Sequence, residues 1–225
     1  KLGQVAERFP LVLGAYLLGN MEEHVYFLIT DVGVRKSKVG QVVEEFPQVL
    51  GSYSLENMEE HREFLIKVAG ISKAKLGKVV ASLPQLLGSV SLENLEAKLE
   101  FLRSVGVAED QLGQMVQTLP AILAYNVEGN LAPTFRFYEK VAPEKALDGL
   151  ISSPAILGYS LEARIKPRYW FYKVKGLPFL PISTMMSPKD KDFAAKVGVP
   201  LEKWIDFQRE CVSGDPGPEY SKWPY

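Results

Sequence analysis

Two sets of residues in this 225-residue chain are of types that could do chemistry. The first is the pair His24 and His61, which lie 37 residues apart and each follow two glutamates, Glu22-Glu23 and Glu59-Glu60. Imidazole beside carboxylates can ligate a transition metal or move a proton. The second is the run Arg164-Ile165-Lys166-Pro167-Arg168-Tyr169-Trp170-Phe171-Tyr172-Lys173-Val174-Lys175, which has no acid in it. Arg and Lys hold phosphates while an aromatic face stacks on an unpaired base, a combination suited to single-stranded or structured RNA.

The elements that must position these residues form an internal repeat. Its prolines, Pro10, Pro47, Pro84, Pro120 and Pro154, are 37, 37, 36 and 34 residues apart. Three residues after each comes a leucine (Leu13, Leu50, Leu87, Leu123, Leu157), followed by a small residue (Gly14, Gly51, Gly88, Ala124, Gly158). Seventeen after each comes a phenylalanine (Phe27, Phe64, Phe101, Phe137, Phe171), and then a large residue (Leu28, Leu65, Leu102, Tyr138, Tyr172). A period of this length marks units that bury their apolar faces only by stacking on a neighbour.

Within one copy, Val39, Val42, Val43 and Phe46 follow the spacing of one helix face. Pro47 stops that short helix, because it lacks an N–H and disfavours helical geometry in the residue before it. Gln48-Val49-Leu50-Gly51 reads as a tight, 3₁₀-like turn in which Gly51 can take a positive φ. A longer helix starts around Ser54 to Asn57; either can cap it, and Asn57 with Glu60 has capping-box spacing. The helix stops at Gly70, as other copies stop at Gly33 and Gly106. The fourth and fifth copies carry Pro133 and Pro167 early in the long helix.

The expected fold is all-α: a solenoid of about five two-helix repeats over residues 1–176, a C-terminal helical cap over 177–212, and an irregular tail over 213–225 that carries Tyr220, Trp223 and Tyr225. Phe171 and Tyr172 fall in core slots of the repeat. Fourteen residues after the prolines lie His24, His61, Lys98, Thr134 and Arg168. A slot so filled reads as a surface position, polar and often cationic, rather than a metal site, which would need further ligands. It is either a ladder of phosphate donors or an ordinary solvated face. The candidate nucleic-acid contacts are Arg164, Lys166, Arg168, Lys173, Lys175, Lys98, Arg103 and Arg136, with Tyr169 and Trp170 as candidate stacking residues. Glu59, Glu60 and Glu63 lie near Arg62 and Lys67, where local ion pairing accounts for them.

Composition narrows the classes. With 26 basic and 27 acidic residues the chain is nearly neutral, but residues 1–112 sum to −3 and residues 113–225 to +2, so a polyanion should prefer the second half. No apolar run approaches the length needed to span a bilayer. The lone Cys211 excludes an internal disulfide and a Cys-rich zinc site. No P-loop, dinucleotide fingerprint, HExxH or nucleophile elbow is present, so no enzymatic activity, cofactor or small-molecule substrate is expected. Lys1 is not an initiator methionine, so a processed or truncated form is expected.

The wording Leu-Gly-x-Val-Val, then Pro-x-Leu-Leu-Gly, then Ser-Leu-Glu-Asn-Leu and a helix closing on Phe-Leu and Gly-Val resembles the mitochondrial transcription termination factor (mTERF) family, most nearly its plant and algal members. The likeness covers roughly residues 1–176, and the region of Ser187, Asp190, Lys191, Asp192 and Phe193 resembles the family's closing segment. The resemblance implies a left-handed superhelix of repeats, each with two α-helices and a 3₁₀ turn. It also implies targeting to a mitochondrion or chloroplast and non-catalytic binding of nucleic acid in transcription, RNA processing or ribosome assembly. The acidic first repeats favour RNA over a full-length clamp on duplex DNA. The alternative is a structural subunit of an organellar ribosome or other large complex that docks mainly on protein, which the aromatic tail would suit.

Overall fold

The computed structural model describes residues 18–178 and 180–213, so Pro10, Leu13, Gly14 and the tail aromatics lie outside the described residues. The chain divides into two compact units, Lys1–Tyr125 and Asn126–Tyr225. The described residues of both are helical, with no strand among them.

The first unit contains α1 (Leu18–Thr30), α2 (Lys36–Glu45), α3 (Leu55–Lys67), α4 (Lys73–Ser82), α5 (Leu92–Ser104) and α6 (Glu109–Thr118). Turns of 3₁₀ geometry, Pro47–Leu50, Pro84–Leu87 and Pro120–Ala124, follow the short helices α2, α4 and α6. The residue before each proline leaves the helical region: Phe46 is at φ −141°, Leu83 at −150° and Leu119 at −130°. This is the steric demand of proline on its predecessor, and it fixes where each short helix ends. The long helices α3 and α5 begin at Ser54 and Ser91, whose hydroxyls accept the N–H of Asn57 at 3.2 Å and of Asn94 at 3.3 Å. Serine is therefore the cap, and Asn57 lies inside the helix. The glycine stops take positive φ: 82° at Gly33, 68° at Gly70 and 99° at Gly106. Gly51, by contrast, has an extended backbone at φ 161°.

Packing between successive repeats explains the Leu-Gly opening of the short helices. A Cβ on Gly77 would fall 1.9 Å from the carbonyl oxygen of Gly33, and one on Gly113 would fall 2.1 Å from that of Gly70. The short helices α4 and α6 thus lie against the glycine stop two copies back, the one that leads into the preceding short helix, at a separation that no side chain allows, whereas Gly40 of α2 has open space around it among the described residues. The core itself is carried by the slot after the phenylalanine. Leu28, Leu65 and Leu102 are fully buried, whereas Phe64 and Phe101 are only half-buried.

The second unit contains α7 (Ala132–Val141), α8 (Ala146–Ser152), α9 (Lys166–Val174), α10 (Ile182–Met186), α11 (Asp190–Lys196) and α12 (Leu201–Ser213). Its two long helices start with a wide π turn, Val127–Leu131 before α7 and Leu161–Ile165 before α9. Pro133 and Pro167 explain this. A proline ring crowds the carbonyl four residues back, and a wider turn upstream relieves the contact without breaking the helix. Asn126 and Ser160 cap these turns, accepting the N–H of Gly129 at 2.6 Å and of Ala163 at 3.0 Å.

Helices α11 and α12 pack on α9 through an aromatic cluster. The rings of Phe193 and Trp204 lie 4.4 Å apart, and Phe171 meets Phe207 at 5.2 Å and Trp204 at 5.5 Å, edge to face. Such pairs add about 0.5–1.5 kcal/mol each beyond the area they bury. The fifth repeat therefore closes on the segment that follows it.

Candidate nucleic-acid interface

The slot fourteen residues after the proline is not on the surface. His24, His61, Lys98, Thr134 and Arg168 are all buried, at 6, 3, 6, 1 and 0% exposure. This overturns both expectations for it, the phosphate ladder and the solvated face. In the first unit the histidines are cross-links between neighbouring repeats. The His24 ring nitrogens lie 2.6 Å from the Asn20 carbonyl of its own helix and 2.8 Å from the Tyr53 carbonyl of the next repeat. His61 does the same, at 2.8 Å to Asn57 and 2.9 Å to Val90. Carbonyls only accept, so the doubly protonated ring donates to both at once and the neutral ring to one. Lys98 donates to the Asn94 carbonyl at 2.9 Å, and burial lowers its pKa from the usual lysine value.

Arg168 is the counterpart in the second unit. Its guanidinium lies 4.6 Å from the centroid of the Phe193 ring and donates to the carbonyls of Met185 at 3.1 Å and Met186 at 2.8 Å. It also pairs with Asp190 at 2.8 Å, and the same carboxylate oxygen accepts the indole N–H of Trp204 at 3.1 Å. Burial works against both charges. For Asp190 it is outweighed by the hydrogen bonds from Arg168 and Trp204, which hold the carboxyl below the ordinary range. For Arg168 burial prevails, and its pKa falls from the usual arginine value.

The other expected contacts divide by exposure. Arg164 is half-buried, donates to the Pro188 carbonyl at 2.7 Å and lies over the Tyr159 ring at 4.3 Å. Lys166 is held by Glu162 at 2.6 Å, and Arg103 by Glu96 at 2.6 Å and Glu109 at 2.5 Å. Lys175 is half-exposed near the Phe171 ring. Arg136 and Lys173 are exposed. The basic run thus does not form one open surface: its pattern of charges is legible in the sequence, but Arg168 and Arg164 are used to attach the closing helices. The expected ion pairs of α3 are present, with Arg62 reaching Glu59 at 2.5 Å and Glu63 at 2.6 Å, and Lys67 reaching Glu63.

A smaller arrangement remains on α7 and α9. Tyr169 and Trp170 are half-exposed, and their rings meet edge to face at 5.1 Å. The Phe137 ring of α7 meets Tyr169 at 5.3 Å, and the preceding residue of that helix, Arg136, is exposed. Lys173 lies over the Trp170 ring at 5.0 Å. Cations beside partly open aromatic faces can hold a phosphate and stack on a base together.

Other chemistry finds little footing. Among the described residues no group of three or more His, Cys, Asp or Glu could hold a metal, and no helix is long and apolar enough to cross a membrane. Burial, reinforced by Glu210, pushes the Cys211 thiol up to about 12 and keeps it protonated. Sequence reasoning passed over Arg35, Lys38, Lys75 and Lys78, which line a cleft in the first unit; the acidic sum of that half hides them.

The comparisons with known proteins agree with this architecture. The sequence model of the mTERF family matches residues 1–194, which takes in the repeats and α11 almost to its end. No curated protein matches the chain significantly.

Proposed function

Since the chain belongs to the mTERF family, we propose that it is a non-catalytic nucleic-acid-binding protein of organelle gene expression, in a mitochondrion or chloroplast, and that it prefers RNA to duplex DNA. The observation that carries this reading is the group on α9: half-exposed Tyr169 and Trp170 with Lys173 over the indole, while α7, whose Phe137 meets Tyr169, carries exposed Arg136. Stacking needs an unpaired base, which single-stranded or looped RNA offers and a duplex does not. Duplex binding instead gains from neutralising many phosphates, and Arg103, Arg164, Lys166 and Arg168 are engaged in internal contacts rather than open to phosphates.

The test is fluorescence anisotropy of labelled single-stranded RNA and duplex DNA with the full chain. Trp170→Ala should weaken RNA binding by about 1–3 kcal/mol for each stacked base, and Lys173→Glu with Arg136→Glu should reduce both affinity and its salt dependence. An RNA affinity equal to that for duplex, untouched by these changes, would dismiss the reading. Partners retained from organelle extract after nuclease would then favour docking on protein.

A further inference from the structure

A second concentration of cations lies in the first unit, in the half of the chain whose charge sums to an acidic value. Arg35 and Lys38 from the start of α2, and Lys75 and Lys78 from the first two turns of α4, line one cleft of about 480 Å³. Gly33 and Gly77 line it too, at the close approach that brings the two short helices together. No Asp or Glu is among its lining residues. All four cations are exposed, and among the described residues none makes an ion pair; Lys38 donates to Gln41 at 2.8 Å. Elsewhere in the same unit Arg62, Lys67 and Arg103 are each held by glutamates. Carboxylates are plentiful here, and the cleft is kept clear of them.

The helices that form the cleft break a local rule in the same way. A helix N-terminus carries partial positive charge and favours acids in its first turn. Helices α3, α5 and α6 obey this with Glu56, Glu93, and Glu109 and Asp110. Helices α2 and α4 have no acid in the first turn, and start instead with Lys36 and Lys38 and with Lys73 and Lys75. Neither has a side-chain cap, whereas α3 and α5 are capped by serine. Cations at two positive helix ends and around one cleft repel one another, and such a conflict is expected where a site is waiting for its ligand. An anion in the cleft is attracted to each of these cations and to both helix ends, and so offsets the repulsions.

We propose that this cleft holds phosphate groups of a nucleic-acid strand, as a contact additional to the aromatic group of the second unit. Lysines predominate, and they act on phosphate as mobile point charges. The proposal rests on the reading of the chain as a nucleic-acid binder for the strand, while the anionic character of the ligand follows from the cleft alone.

The experiment compares the full wild-type chain with Lys75→Gln/Lys78→Gln, using anisotropy of labelled single-stranded RNA over a series of salt concentrations. The variant should bind about tenfold more weakly, with a salt slope smaller by about 1.4, since each phosphate contact on a single strand contributes about 0.7. Inorganic phosphate forms a second arm and should compete only in large excess. Lys75→Glu, measured without ligand, should melt at a higher temperature than wild type, because it removes the repulsion at the start of α4. Unchanged affinity and slope in the double variant, with wild type binding RNA, would overturn the cleft and leave the proposed function standing. Absence of RNA binding by wild type would overturn both. Tight, lysine-dependent binding of inorganic phosphate with no effect on RNA would identify a free-phosphate site and overturn the strand.

Discussion

In the first unit His61 joins its repeat to the next through the Val90 carbonyl, while in the second unit the same slot holds Arg168, which joins α9 to the Met185 and Met186 carbonyls and to Asp190. The task is the same: to satisfy backbone acceptors on whatever follows. The chemistry differs because the follower differs. Where another repeat comes next, one loop carbonyl lies at imidazole reach and no carboxylate is needed. Where the closing helices come next, the acceptors are spread over two carbonyls and a carboxylate, and only the long forked guanidinium reaches them all. The fully buried charge then needs Asp190, and the histidines carry no such dependence.

The sharpest way to break this comparison is Asp190→Ala. It leaves the buried Arg168 charge without its carboxylate and should cost about 3 kcal/mol in chemical denaturation, the low end for a buried pair because the Asp190 side chain is 46% exposed. The pH dependence gives the same contrast without the cavity. The Asp190 carboxyl is held below the ordinary range, so its contribution is present above the usual aspartate value of about 3.9 and is lost as pH falls through the lower folded value. Stability curves of wild type and Asp190→Asn should therefore differ at neutral pH and converge below about pH 4. Curves that stay parallel would remove Asp190 from the attachment.

Next in size is Gly77→Ala. The new methyl meets the Gly33 carbonyl oxygen, so α4 must move off the Gly33 turn that leads into α2, at a cost of about 3 kcal/mol. Gly40→Ala, with nothing within 4 Å of its would-be Cβ, is the control and should be neutral or slightly stabilising. The smallest effect is at His61. His61→Ala leaves the Val90 carbonyl without its partner, while the Asn57 carbonyl keeps the helical N–H of residue 61, and should cost about 2 kcal/mol. His61→Lys should lose less, because Lys98 occupies the slot in the following copy and donates to its own helix in the same way. Equal losses for alanine and lysine would mean that volume, not hydrogen bonding, governs the slot.

Much of this was legible beforehand. The proline spacing placed the helix breaks, and the glycine stops fell at Gly33, Gly70 and Gly106 as read. The burial of the slot was not legible, because His, Lys and Arg have the composition of a surface position and their acceptors are backbone carbonyls, which no residue type reveals. His61 and the Val90 carbonyl are 29 residues apart in the chain. The preference for serine over Asn57 as a cap was open because both residues suit the position, and only the geometry of the turn separates them. The cleft escaped notice because its cations come from two repeats, each of which also carries acids elsewhere.

What the amino-acid order determined by itself was the periodic part: where each helix ends, which face is apolar, and that the units are alike. These follow from sterics and patterning within a few residues, which neighbours along the chain decide. What only tertiary structure decided was the fate of the charges. Whether a cation meets a carbonyl, a carboxylate or open solvent depends on groups brought together from distant repeats. That is why the run at 164–175 turned inward in part, while Arg35, Lys38, Lys75 and Lys78 were left facing outward.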